Sequence, residues 1–261
     1  MPVERRSPPP ARPPSRTPLR PPAAGPVATR PASSRPVAPA RPVRPAGPVV
    51  RGPKLLPLLL WPALITLAVT VLRLVGELRG WSPEYFSRLP GGGLSPLGIT
   101  WLAPLMGIYV GWRLGRAGVP APHPVVTIGV PVLAASAGAV VALVAGRLAK
   151  TGWTANLALW GVVSVLVAGV VIAAWPALGR ILLAYAYAAR IPVAIVMALA
   201  IWRHWGTHYD LAPPGYPPMA PLRRWLWTGL LPQSTIWVAW TLATGMILAP
   251  LGHWAGAWRR R

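Results

Sequence analysis

Arg190 is the residue whose position most demands chemistry. It falls inside the apolar run 181–202. At ~1.5 Å of rise per helical residue it lies about 18 Å from Trp202, near the centre of a bilayer if that run crosses one. An unpaired arginine there costs at least ~2.5 kcal/mol, so something must compensate it. Tyr187 lies three residues earlier and shares its helix face. The next apolar run, 225–250, returns antiparallel, and counting inward from Trp225 places Gln233, Ser234 and Thr235 about 12 to 15 Å deep. Arg190, Tyr187, Gln233, Ser234 and Thr235 therefore form a candidate polar site for an anionic group. The competing reading satisfies Arg190 with carbonyls freed by proline, with Gln233, or with a lipid phosphate.

A second cluster follows at the mouth of the same run, where His204 and His208 are spaced i, i+4 and Asp210 comes just after. Two imidazoles and a carboxylate can hold a divalent metal such as zinc or iron with positions left open. The adjacent glutamate of a metalloprotease helix is missing, and Gly206 can end a helix between the two histidines. An interfacial hydrogen-bonded turn thus competes with the metal reading. Upstream, Arg73 and Glu77 form an i, i+4 pair, with the acid on the C-terminal side and so in the less favourable order. Ser82-Pro83-Glu84 predicts the cap, first-turn proline and acid of a short interfacial helix. Gly91 to Gly93 read as a flexible loop, because no Lys-Ser/Thr follows to complete a phosphate-binding loop.

The inventory excludes much else. Only four acids, Glu4, Glu77, Glu84 and Asp210, stand against 26 Lys and Arg, for a net charge of +22. None is expected at the depth of Arg190, which rules out paired-carboxylate catalysis inside a membrane. Cysteine is absent, and with it disulfides, thiolate metal sites and thiol nucleophiles. No motif names a catalytic residue, and no cofactor is implied.

The elements that position these residues are membrane spans. The chain is 54% hydrophobic and 11% charged, where a soluble domain carries about 25% charge. Six apolar runs, near 55–76, 95–113, 125–146, 153–175, 181–202 and 225–250, each approach the ~20 residues a bilayer requires. The fold class is all-α, a polytopic membrane helix bundle of about six helices occupying 54–261. Tryptophans 112, 153, 175, 202, 225 and 254 fall at the ends of runs, where an indole ring prefers the headgroup level. Small residues recur every fourth position, at Gly107, Gly111 and Gly115 and at Ala134, Gly138, Ala142 and Gly146, as close packing of helices requires. Pro104, Pro131, Pro192 and Pro232 lie inside spans and should kink them.

Ahead of the spans, residues 1–53 hold ten Arg, 17 Pro and one acid, a composition that predicts a disordered tail sampling polyproline II. The first 30 residues lack the pattern of a cleaved secretory signal, so insertion is expected to rely on the first span. Basic residues flanking that span place the tail in the cytoplasm. Richness in Ala, Pro and Arg points to the cytoplasmic (inner) membrane of a prokaryote. Anionic lipid near the tail is the expected partner, at ~1 kcal/mol per Arg. Protein partners in a membrane complex come next, and nucleic acid is unlikely to be one, since the tail has no stacking aromatics. Three function classes remain: an accessory, assembly or scaffold subunit of a membrane complex; a transporter or channel for a small anionic solute, built on Arg190; and a metal-dependent membrane enzyme at His204, His208 and Asp210. The balance leans away from an enzyme.

Overall fold

The computed structural model describes residues 55–89, 98–150, 152–212 and 215–259. The tail 1–53 and the Gly91 to Gly93 loop lie outside them. Six helical segments follow one another: α1 (Leu55–Leu78), α2 (Leu102–Ala117), α3 (Val125–Leu148), α4 (Trp153–Ala174), α5 (Pro176–Arg203) and α6 (Pro221–Trp258). No strand occurs among the described residues. The protein is a helical bundle of the polytopic membrane type. All of these helices except α2 are long and apolar enough to cross a bilayer. Their outer faces carry exposed hydrocarbon, such as Leu133 and Leu148 on α3 and Val162 and Leu166 on α4, where a soluble bundle would carry charge.

The second span departs from expectation. It was predicted over 95–113, yet α2 starts at Leu102 and has 16 residues, short of the ~20 needed to cross unaided. Gly118, with φ 74°, caps its C-terminus in the left-handed conformation that glycine adopts without strain. The fifth helix begins earlier than predicted, at Pro176, directly after Trp175, because proline suits a first helical turn. Trp175 stands at the junction between α4 and α5, as expected of a residue that ends a span. It is buried in the core, edge-on to His253 at 5.6 Å. Ser82-Pro83-Glu84 forms a single turn, closed by Tyr85 and Phe86 N–H groups donating to the Ser82 carbonyl at 3.1 and 3.0 Å, and no helix follows.

Two of the four intraspan prolines have a visible local consequence. A proline ring at position i collides with the carbonyl of i−4 and removes its hydrogen bond. Pro131 and Pro232 are each preceded by a widened π-helical turn, Val125–Gly129 and Trp225–Leu230 respectively. The threonines whose carbonyls are displaced, Thr127 and Thr228, turn their hydroxyls back onto Pro124 O at 3.2 Å and Arg224 O at 2.8 Å. A second irregularity follows on α6, where Thr235 leaves helical geometry at φ −126° and ψ −69°. The helix resumes at Ile236.

From there to its end, α6 lies against α2 with backbone touching backbone. A Cβ on Gly107, Gly111 or Gly115 would overlap the carbonyl oxygen of Gly245, Ala249 or His253. Conversely, a Cβ on Gly252 or Gly256 would overlap that of Ile108 or Trp112. The small-residue spacing seen on α2 is thus consumed inside the chain, against a matching series on α6 that the four-residue rule had not singled out. On α3, Gly138 meets Val163 and Val167 of α4. Met246, Leu242, Val110 and Leu114 fill the interior beside this seam, with Leu178 and Leu182 of α5 behind them.

Gly111→Val is expected to separate α2 from α6 and to cost more than the ~1–3 kcal/mol of ordinary overpacking, since backbone rather than a flexible side chain must move. Gly169→Ala, where an added methyl meets nothing within 4 Å, should be neutral. Thermal unfolding of the two variants in detergent checks the contrast. Equal melting temperatures would remove the seam from the account.

Candidate functional site

A cavity of about 210 Å³ opens where α1, α4, α5 and α6 diverge. Its wall includes Arg190, Gln233 and Trp237 in the interior, with Thr70 and Arg73 of α1 and Thr228 of α6. His208, Tyr209 and Leu211, from the segment after α5, close one end, and Ile99, Leu157, Val193 and Met197 supply hydrocarbon. At this size it suits a small ligand, below the ~300–1000 Å³ of pockets for larger ones.

Arg190 sits midway along α5 and is 5% exposed. It makes no hydrogen bond or ion pair with any described residue. Its Nε is a buried donor without a partner. The guanidinium instead lies over the indole of Trp237, 4.9 Å from the ring centre. A desolvated cation–π contact is worth ~2 kcal/mol, whereas taking an ion out of water costs several kcal/mol, so the ring compensates the charge in part only. Gln233 is 8% exposed. Its Nε2 donates weakly to Met197 Sδ at 3.7 Å, and its Oε1 has no partner. Buried polar groups without partners are rare in folded proteins, and both of these belong to residues of the cavity wall.

The other three residues of the predicted anion site are placed elsewhere. Tyr187 is 40% exposed, and its hydroxyl donates to the Ser234 carbonyl at 3.3 Å. Ser234 and Thr235 spend their hydroxyls on α6 itself, donating to Leu230 O and Leu231 O at 2.7 Å each. None of the three lines the cavity. The residues that sequence reasoning did not assign to it are Trp237, Thr70, Thr228 and Tyr209. Tryptophan and threonine at helical spacing read as packing, which hides them.

Arg73 has a counter-ion. Its Nε donates to Glu77 Oε1 at 2.9 Å, in a pair whose acid is fully buried although it stands one residue from the end of α1. Burial comes from the segment after α5, which folds down over it. The His208 N–H donates to Glu77 Oε2 at 2.8 Å, and His208 Nδ1 lies 2.5 Å from Oε1. Arg88 reaches the Glu77 carbonyl. Beside them Tyr209 packs against His208 with the rings tilted by 42°, and donates to Thr70 O at 3.3 Å.

That segment also decides the fate of the predicted metal cluster. The α5 helix ends at Arg203, and His204 takes a left-handed conformation, φ 52°, so the i, i+4 relation between His204 and His208 is lost. His204 is exposed while His208 faces Glu77. Asp210 commits both carboxylate oxygens to its own turn: Oδ1 accepts from Thr207 N–H at 2.7 Å and Thr207 Oγ1 at 2.8 Å, and Oδ2 from Gly206 N–H at 3.0 Å. Among the described residues, no three His, Asp or Glu side chains converge as a metal would require.

Burial pushes the His208 imidazole below its ordinary range, with the Glu77 hydrogen bond opposing and Arg73 reinforcing the shift. It is therefore the neutral ring that docks, donating Nδ1–H to a carboxylate that only accepts. Burial likewise pushes the Tyr209 phenol up, so that it stays protonated. Because the folded-state value of His208 lies below the unfolded one, the unfolded chain binds the proton more tightly. The stability this residue contributes is present above about pH 6.5 and is lost as pH falls below it. Melting temperatures of the wild type should drop on acidification from pH 8 to 5 by more than those of His208→Asn, whose amide can still donate. Parallel curves would dissociate His208 from the docking.

No protein-family model, curated protein or solved structure matches the chain. Function is therefore argued from the site alone.

Proposed function

We propose that the protein binds a small anion at Arg190, inside the membrane, and serves as a transporter or channel for such solutes. The observation that carries this reading is a buried guanidinium, midway along a membrane-length helix, with no counter-ion among the described residues and a cavity beside it. A cation in that place is usually functional, because a structural one would cost less if it were paired or replaced. An anion entering the cavity supplies the missing charge. Trp237 holds the guanidinium in place meanwhile, and the Glu77 carboxylate, engaged by Arg73 and His208, does not compete for it.

The scaffold or assembly reading drew its support from packing motifs. Those on α2 are occupied by α6 of the same chain, which leaves that reading without a particular observation. The basic tail favours a cytoplasmic N-terminus at a membrane rich in anionic lipid, with the inner membrane of a prokaryote as the setting.

Two substitutions test the site. Arg190→Gln should lower the affinity for small carboxylates at least tenfold, as read by isothermal titration of the purified protein in nanodiscs. Gln233→Glu places a carboxylate in the cavity that holds Arg190. It should abolish anion binding while raising the melting temperature. Undiminished binding in both variants would end the proposal.

A further inference from the structure

A second groove, sharing no residue with the cavity at Arg190, opens at the C-terminal end of α2 and is lined by Trp112, Arg113, Arg116 and Ala117. Its level is fixed by the seam with α6. A Cβ on Gly256 would overlap Trp112 O and stand 3.0 Å from Arg116 N, so the turn of α2 that holds both arginines lies beside the last turns of α6. Those turns carry Trp254 and Trp258, both largely exposed, and exposed indoles on a membrane helix belong at the headgroup level. The groove therefore opens among lipid headgroups. It does so on the side from which α1 sets out, because α1 runs along α5, α5 runs against α6, and α6 runs along α2.

The two cations of the groove lack counter-ions. Arg113 donates to the Tyr109 hydroxyl at 3.1 Å and lies over that ring, and Arg116 lies over Trp112, 5.2 Å from the ring centre. Neither forms an ion pair among the described residues. The described acids all stand at the opposite end of the bundle: Glu77 where α1 finishes, Glu84 in the turn after it, and Asp210 beyond the end of α5. The rings thus orient two guanidinia without neutralising them, and a guanidinium matches the oxygens of a phosphate. The same face of α2 leads up to them in hydrocarbon. Leu105, Tyr109, Trp112 and Arg116 fall at i, i+4, i+7 and i+11, and Leu105 is exposed. Apolar surface ending in unpaired cations has the order of an acyl chain and its headgroup.

We propose that this groove is a site for one anionic phospholipid, with its phosphate between Arg113 and Arg116 and an acyl chain along Leu105 and Tyr109. Basic pockets at the ends of membrane helices bind anionic headgroups. A zwitterionic lipid would bring its ammonium up to two cations that no acid offsets, and like charges repel.

The test titrates the full-length, delipidated protein in detergent with phosphatidylglycerol, phosphatidylcholine and inorganic phosphate, reading bound lipid by native mass spectrometry and stability by melting temperature. One phosphatidylglycerol should bind about tenfold more tightly than phosphatidylcholine and raise the melting temperature. In the double variant Arg113→Gln, Arg116→Gln that preference should vanish, while the lipid-free melting temperature stays close to that of the wild type. Arg116→Glu, at an exposed position, should abolish the preference as well. The pair Arg223→Gln, Arg224→Gln, at the opposite end of α6, should keep it. Lipid drawn to the Arg-rich tail is common to all these proteins, so the site is read in their difference. Equal affinity for the two lipids in the wild type would overturn the site, as would a preference that survives both changes at the end of α2. Inorganic phosphate that stabilises the wild type as much as the lipid does would give the groove to a free anion and overturn the phospholipid.

Discussion

Everything in this bundle is arranged around the contact of α2 with the second half of α6. Backbone meets backbone there because five glycines, from Gly107 to Gly256, remove the side chains that would hold the helices apart. In a bilayer such contacts matter more than in water, since lipid tails solvate a leucine as well as another helix does, and packing must come from close approach. With Ile236–Trp258 locked to α2, the first part of α6 cannot follow the same line. The π turn before Pro232 and the break at Thr235 redirect it toward α4 and α5. The cavity lies beside the break, with Gln233 and Trp237 of its wall on either side of Thr235.

The cavity would be an ordinary packing defect if its wall were apolar. Arg190 makes it something else. The cation–π contact with Trp237 offsets about 2 kcal/mol, against a burial cost of several kcal/mol, so the ring compensates the charge only in part. Nearby Glu77 shows the alternative arrangement: a buried charge given an arginine, an imidazole and a backbone N–H. The chain thus satisfies one buried ion, Glu77, through Arg73 and His208 of the cavity wall, and leaves Arg190 of that wall without a counter-ion among the described residues. Such an arrangement is stable as a whole only because the helical frame fixes both.

Much of this was legible in the sequence, for physical reasons that also mark its limits. A bilayer imposes long apolar runs, so the spans were readable to within a few residues where Trp, Pro or Gly ended them. The exceptions were α2, whose start at Leu102 no cap residue announces, α5, which starts at Pro176 rather than 181, and α6, which runs on to Trp258 rather than ending at 250. Arg190 and Gln233 stood out because a polar side chain amid hydrocarbon has no bland explanation. Ser234 and Thr235 were equally polar, yet their hydroxyls can bond to their own helix, a local escape that long side chains lack. The burial of Glu77 was hidden because it comes from a segment 131 residues later in the chain, at His208. The metal cluster failed at one dihedral angle: once His204 turns left-handed, helical spacing no longer describes the pair.

The most direct measurement is an experimental structure of the protein crystallised from the lipid phase with bromide, using its anomalous signal to locate bound anions. The account predicts a bromide peak in the cavity within contact distance of the Arg190 guanidinium, lost in Arg190→Gln. A structure in which that guanidinium is satisfied by backbone carbonyls, with the cavity closed and no anomalous peak, would contradict it.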